Sequence, residues 1–282
     1  MAVSGLLMLL VLGSLWTGCS CLPDRCRIQR RSYFGTLSLW VDCDHLNLAT
    51  LPDGIPSNTE RFCAEYNNIR NVSYMPSLPG LLWLDLGTNA IESFAWTSLR
   101  NLPNLRFLYL NINRLRYVQL GNVIEHLPKL KHVDLSYNKI TSISRYELGR
   151  PQVKKAYIMD NPFHCDCYLF WLIEKMACLT ACKGEDEKAC CLSCSACFLA
   201  GILKYKAFRM TCHSPNGLKN LPLSDVFSHL TGCWPHQPTT EAHDYSPNIL
   251  LSAMAGTLSS LTLMILCHHL YERKCYGYVH VH

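Results

Sequence analysis

Leu81-Leu-Trp-Leu84-Asp-Leu86-Gly-Thr-Asn89-Ala-Ile91 recurs as Leu105-Arg-Phe-Leu108-Tyr-Leu110-Asn-Ile-Asn113-Arg-Leu115 and as Leu130-Lys-His-Val133-Asp-Leu135-Ser-Tyr-Asn138-Lys-Ile140. Two worn copies flank these: Phe62-x-Ala64-x-x-Asn67-x-Ile69 and Val153-x-x-Ala156-x-Ile158-x-x-Asn161-x-Phe163. Their asparagines, Asn67, Asn89, Asn113, Asn138 and Asn161, are 22, 24, 25 and 23 residues apart. Within each phrase apolar and other residues alternate, which predicts a short strand with its leucines on one side. One phrase cannot bury its leucine row alone. Copies in register predict stacked strands with a continuous leucine core. The asparagine amide both donates and accepts, so it satisfies backbone groups where the chain turns after each strand. An amphipathic helix is excluded, because the apolar spacing does not continue at a period of 3.6.

The L-x-x-L-x-L-x-x-N-x-L/I phrase at this period resembles the leucine-rich-repeat family. The resemblance implies an α/β fold: a short curved solenoid over residues 59–160, with a parallel β-sheet on its concave face. It also implies that the concave face is a binding surface rather than an active site. The expected outward set begins with Arg61, Cys63, Glu65, Tyr66, Leu82, Trp83, Asp85 and Thr88. It continues through Arg106, Phe107, Tyr109, Asn111, Ile112, Lys131, His132, Asp134, Ser136 and Tyr137 to Lys154, Lys155, Tyr157, Met159 and Asp160. Trp83, Phe107, Tyr109, Tyr137 and Tyr157, with Asp85 and Asp134 among them, are the candidate ligand contacts, because aromatic side chains recur as interface anchors. The competing reading is that some of these rings only shield the strand ladder.

Seventeen cysteines in 282 residues point to an oxidising compartment. None lies between Cys63 and Cys165; they gather at the ends, where a solenoid needs caps. Cys21-Leu-Pro-Asp-Arg-Cys26 through Cys43 resembles an extracellular amino-terminal cap, residues 21–58, with Ile28 where a further cysteine is usual. The pairing of Cys21, Cys26 and Cys43 stays open, and Cys63 is a possible partner. Asn161-Pro-x-x-Cys165-Asp-Cys167, with Trp171 and the distal Cys212 and Cys233, resembles a carboxy-terminal cap, residues 161–234. That resemblance implies the pairs Cys165–Cys212 and Cys167–Cys233. Closing the first loop of roughly 47 residues is worth about 4 kcal/mol in the chain-entropy model. Cys178, Cys182, Cys190, Cys191, Cys194 and Cys197 form an insertion whose C-x-x-C steps admit zinc, but an exported chain favours disulfides. The fourteen cysteines from Cys21 to Cys233 permit seven bridges. No metal and no cofactor are expected.

Residues 1–20 are apolar and end in small residues, resembling a secretory signal. Ile249 to Cys267 is a 19-residue uncharged stretch. As a helix it extends ~28 Å, near the ~30 Å hydrocarbon thickness of a bilayer. Arg273 and Lys274 follow it, and a polar tail, residues 268–282, distinguishes it from a glycolipid-anchor signal. The expectation is a single-pass plasma-membrane protein with its repeats outside and a short stalk, residues 235–248. Ser252, Gly256 and Ser260 form a small-residue stripe through which a membrane-helix partner or homodimer is possible. Tyr276-Gly-Tyr-Val279 resembles a sorting signal, and Asn71-Val-Ser73 is the glycosylation sequon, placed off the concave strands.

A net charge of +5 and an isoelectric point near 8.4 are mild for nucleic-acid binding. No catalytic or phosphate-loop motif is present, and His132 near Asp134 has no nucleophile in register, so no enzyme is expected. The plan of cap, few repeats and cap resembles small cell-surface leucine-rich-repeat proteins, including the variable lymphocyte receptors of jawless vertebrates. That resemblance implies an extracellular protein or glycan ligand for the concave face and the cysteine-rich insertion. The alternative is an auxiliary subunit of a channel or receptor, acting through the membrane helix.

Overall fold

The computed structural model describes residues 22–23, 25–33, 36–182, 187–199 and 210–233. The chain divides into two units, and nearly all described residues belong to the one spanning Asp24–Gln237. The predicted signal, stalk, membrane span and tail lie outside the described residues, as do Cys21, Ser252, Gly256, Ser260, Tyr276 and Val279. Among the described residues no helix is long and apolar enough to cross a membrane.

Seven of the described strands form one sheet. In chain order the strands are β1 (Arg27–Tyr33), β2 (Thr36–Asp42), β3 (Thr59–Cys63), β4 (Asn71–Val72), β5 (Trp83–Asp85), β6 (Ser93–Phe94), β7 (Phe107–Tyr109), β8 (His132–Asp134), β9 (Lys155–Tyr157), β10 (Phe163–His164) and β11 (Cys212–Ser214). The sheet order is β1-β2-β3-β5-β7-β8-β9. Only β1 and β2 are antiparallel; every later neighbour is parallel, as a chain that returns once per repeat requires. Leu84, Leu108, Val133 and Ala156 face inward at the centre of their strands and are fully buried. Leu81, Leu86, Leu105, Leu110, Leu130 and Leu135 complete the row, so the core is a column of aliphatic side chains one repeat thick.

Each asparagine binds backwards. Asn138 Nδ2 donates to Leu110 O of the preceding repeat at 2.9 Å and to Leu135 O and Ser136 O of its own, while its Oδ1 accepts Leu115 N at 3.0 Å. Asn113 repeats this with Leu86 O, Leu110 O, Asn111 O and Ile91 N. Asn67, Asn89 and Asn161 do the same in their own repeats. The residue before each asparagine is left-handed: Tyr66, Thr88, Ile112, Tyr137 and Asp160 have φ between 51° and 56°. For β-branched Thr88 and Ile112 that conformation costs roughly 1 kcal/mol or more. It is offset because it aims the amide at the next repeat: Thr88 N donates to Asn111 O and Ile112 N to Ser136 O, both at 2.9 Å.

The caps differ. At the front, β1 folds back on β2 as a hairpin, presenting exposed Arg27, Arg30 and Arg31 along the sheet edge, where charge discourages further pairing. Cys26–Cys43 closes this cap. At the back, helix α1 (Phe170–Ala181) buries Leu172, Ile173, Met176 and Leu179, spaced to line one face. Cys165–Cys212 and Cys167–Cys233 tie α1's entry to β11 and to the 3-10 turn Phe227–Cys233. The insertion contains helix α2 (Glu187–Ser193) and is bridged as Cys178–Cys194, Cys182–Cys190 and Cys191–Cys197. Its end reaches the sheet: Phe198 O accepts Ala156 N at 2.7 Å, covering the open side of β9.

The disulfides decide two points that the sequence left open. Six bridges form among the described residues, and Cys63 is free. Cys43 directly follows β2 and Cys63 ends the neighbouring β3, but Cys43 points into the core and is bridged to Cys26, whereas Cys63 points out onto the other face of the sheet. The zinc alternative also loses its ligands: Cys182, Cys190 and Cys194 have sulfurs within 4.8 Å of one another, yet each is already in a disulfide.

Replacing Asn138 with Ala strips partners from buried carbonyls and from Leu115 N. The expected loss is about 2–4 kcal/mol, read as a lower urea midpoint, against less than ~0.5 kcal/mol for exposed Asn122→Ala. Peptide mapping without reduction should recover the three insertion bridges, with Cys63 alkylated only after denaturation.

Candidate ligand-binding face

The strand register sets two rows across the concave face. One is Trp40, Arg61, Trp83, Phe107, His132 and Lys155; the other is Asp42, Cys63, Asp85, Tyr109, Asp134 and Tyr157. Because every second side chain points outward, stacking repeats places like positions about one strand spacing apart, roughly 4.8 Å, which is stacking distance for rings.

The first row and Tyr109 form one continuous pavement. Arg31 lies 4.2 Å over Trp40, and Arg61 is shared between Trp40 at 4.7 Å and Trp83 at 4.2 Å. Trp83 stacks on Tyr109 at 4.7 Å and packs against Phe107 at 5.0 Å. His132 follows, 5.1 Å from Tyr109 and 5.1 Å from Tyr157. These contacts use up ring faces, so Trp83, Phe107, Tyr109 and Tyr157 are half-buried rather than free-standing anchors. Asp85 is only 7% exposed; it accepts Trp83 Nε1 at 3.4 Å and Gly87 N at 3.2 Å, so it positions the indole. Asp134 is half-buried and accepts Ser136 N at 3.0 Å.

The side chains that do stand out belong to the left-handed turn row beside the pavement. Tyr66 is 52% exposed, Ile112 46% and Tyr137 43%. Left-handed backbone turns these side chains away from the core, and His45, also left-handed, stacks on Tyr66 at 4.3 Å. An apolar ridge of this kind along a polar sheet margin is the exposed feature a partner would cover.

Charge is distributed diagonally. Asp44, Glu65 and Asp85 crowd the strand ends of the first repeats; Asp44 Oδ1 accepts Glu65 N at 2.6 Å. A Cβ on Gly87 would lie 2.9 Å from Glu65 Oε1 and 3.0 Å from Asn111 Oδ1, so a larger residue there would make the Glu65 carboxylate and the Asn111 amide shift. Burial, then repulsion from Asp85 and Asp44, pushes the Glu65 carboxyl up to about 7. Burial also raises Asp85 and Asp44. At the strand starts of the later repeats Arg106, Lys131, Lys154 and Lys155 are exposed. Burial, with Lys155 beside it, lowers His132, so the imidazole in the pavement is neutral at pH 7. Burial pushes the Cys63 thiol up to about 11 despite Arg61 Nε at 3.2 Å, which keeps it an unreactive thiol.

Comparison with known proteins matches residues 66–115 to the family described as leucine rich repeat and residues 103–147 to leucine rich repeats in two copies. Residues 66–147 are leucine-rich repeats. The chain is similar to trophoblast glycoprotein of Macaca fascicularis, 23% identical over 192 residues, covering 68% of this chain and 34% of the relative. Human leucine-rich repeat-containing protein 3B is 29% identical over 137 residues, covering 49% and 44%, and human epiphycan is 31% identical over 127 residues, covering 44% and 35%. The chain thus spans between a third and a half of these relatives' length. The two repeat matches cover the strands β5, β7 and β8, the clean centre of the leucine-rich-repeat face.

Of the anticipated contacts, Trp83, Asp85, Phe107, Tyr109, Asp134 and Tyr157 share the two rows, and Tyr137 lies in the turn row beside them. Trp40, Asp42, Asp44 and Arg31 extend the leucine-rich-repeat face into the front cap and were not anticipated. Leu39-Trp-Val41-Asp-Cys43 alternates as the repeats do, and that alternation was the available signal. Asn71 is exposed on β4, which pairs with β6 outside the seven-stranded sheet.

Between the ordinary carboxylate range and about 7, folded Glu65 holds a proton that the unfolded chain has released, so stability falls as pH rises through that window. The melting temperature should therefore drop from pH 5 to pH 8, and Glu65→Gln should flatten much of that drop. Asp44 and Asp85 leave a residual slope. Identical slopes in the two proteins would show that the corner holds no such proton.

Proposed function

We propose that this protein is a cell-surface binding protein that docks a protein partner on its concave face. The observation carrying this reading is the fixed ring-and-guanidinium pavement bordered by the exposed Tyr66, Ile112 and Tyr137 ridge. Rings held by one another lose little freedom on binding, so a partner meets a surface already ordered. The acidic corner and the basic strand starts favour a partner of opposite charge pattern and fix its direction along the face. The reading includes export, a spanning helix at 249–267 and a sugar on Asn71, away from the docking face. The pavement offers no paired nucleophile and base, and the reading includes no enzyme activity.

A second reading, an auxiliary subunit acting through its membrane helix, rests on the Ser252, Gly256 and Ser260 stripe. The two part in one experiment. Protein displayed on cells is screened against a library of soluble ectodomains, alongside a variant carrying Tyr66→Asn, Ile112→Asn and Tyr137→Asn. Asparagine tolerates left-handed backbone, so the variant should fold as well as the parent. A partner whose affinity falls at least ~10-fold in the variant supports concave docking, since exposed aromatic anchors carry about 1–2 kcal/mol each. A partner retained by the variant moves the site off this face, and the absence of any partner favours the membrane helix.

A further inference from the structure

Where the last repeat meets the cysteine-rich cap, two cavities open beside each other. One, of about 360 Å³, is lined by Ile124, Leu130, Lys131, Arg150 and Lys154 among others; the second, of about 400 Å³, by Arg145, Arg150, Trp171, Lys175 and Phe198. Arg150 and Pro151 line both, so the two cavities adjoin across a shared wall. No aspartate or glutamate lines either cavity among the described residues.

The arginines here are held in place. Arg150 lies 4.1 Å over the Phe198 ring and donates from Nη1 to Val153 O at 2.6 Å; Arg145 lies 5.6 Å over Trp171. Trp171 and Phe198 stack on each other at 6.0 Å, and Trp171 Nε1 donates to Ile143 O, which fixes the pair to the last repeat. Two guanidiniums are thus mounted on one aromatic pair, facing one cleft. Glu174 offsets Lys175 at 3.5 Å, but no carboxylate pairs with Lys131, Arg145, Arg150 or Lys154 among the described residues. Burial and the charge of Arg145 both disfavour the charged form of Arg150. An anion in the cleft relieves that repulsion, and a planar guanidinium already held in position binds a sulfate or carboxylate with little further ordering.

We propose that this double cleft binds a sulfated glycan chain, with Arg145 and Arg150 gripping one acidic group and Lys131 and Lys154 the next along the chain. A single small anion would satisfy one cavity; cations lining two adjoining cavities in succession fit a linear polyanion. The site shares Lys131 and Lys154 with the basic strand starts of the concave-face reading, but it does not include the Tyr66, Ile112 and Tyr137 ridge on which that reading is tested, so either can fail alone.

The test measures binding of a heparin dodecasaccharide to the full chain in detergent micelles, across a salt series. A variant with Lys131→Gln, Arg145→Gln and Lys154→Gln should lose at least ~10-fold in affinity, and its slope of log affinity against log salt should fall by about 2. A variant with Arg70→Gln, Arg116→Gln and Lys139→Gln loses the same charge from other exposed positions and should bind within about twofold of the parent. On the unmodified protein, heparin should protect Arg145 and Arg150 from phenylglyoxal, an observation that does not depend on any variant folding. Tyr66→Asn, Ile112→Asn and Tyr137→Asn together should leave glycan binding unchanged. Equal losses in both charge variants, loss in neither, no protection of the arginines, or no binding by the parent would each overturn the proposal. So would displacement of heparin by a sulfotyrosine peptide at lower concentration than by free heparin, which would assign the cleft to an acidic protein.

Discussion

The buried asparagine amide is the interaction on which the rest depends. A side chain with two donors and an acceptor spans the seam between successive repeats, binding carbonyls on both sides of it. Hydrophobic burial alone would let neighbouring repeats slide, since one leucine row fits another in several registers. Directed hydrogen bonds allow one register, and the register in turn decides which side chains meet across the concave face. Trp83 falls opposite Phe107, and Asp85 opposite Tyr109, only because Asn89 and Asn113 hold their turns in step. The ladder on the inside therefore writes the pattern on the outside.

The same constraint explains the polarised face. In-step strands set Glu65 beside Asp44 at the like position and diagonal to Asp85, so the three carboxylates crowd once their repeats have stacked. In the other row Arg61 sits between Trp40 and Trp83, and Phe107 and His132 continue as rings, where crowding is favourable. The face is thus rigid and electrically uneven before any partner arrives, which favours orientation over raw affinity.

The repeats were legible because their signal is periodic and local: Leu84, Leu108 and Val133 are spaced as the fold spaces them. The front hairpin was less so. Val41 and Cys43 alternate as a repeat strand does, but Leu46 stands where the asparagine belongs, and without that marker Trp40 and Asp42 went unread as surface residues. Free-standing aromatics were expected where half-buried ones occur, because facing outward is a property of one strand while exposure depends on its neighbours. Trp83 is covered by Arg61 on one side and Tyr109 on the other, contacts made across about 22 to 26 residues of sequence. The even cysteine count left Cys63 open for a related reason: parity says nothing about which way a thiol points, and Cys43 points inward while Cys63 points outward.

Both ends of the sheet are finished, by an arginine-lined hairpin at β1 and by the Phe198 carbonyl at β9. Growth is then possible only from within. A duplicated interior repeat would leave each terminus intact and lengthen the face by one strand spacing, about 4.8 Å. The acidic corner is built into the first repeats and the cationic cleft into the last, so such an insertion would separate the two by that increment while altering neither. The architecture works as an adjustable ruler, in which repeat number sets the distance between two fixed chemical marks.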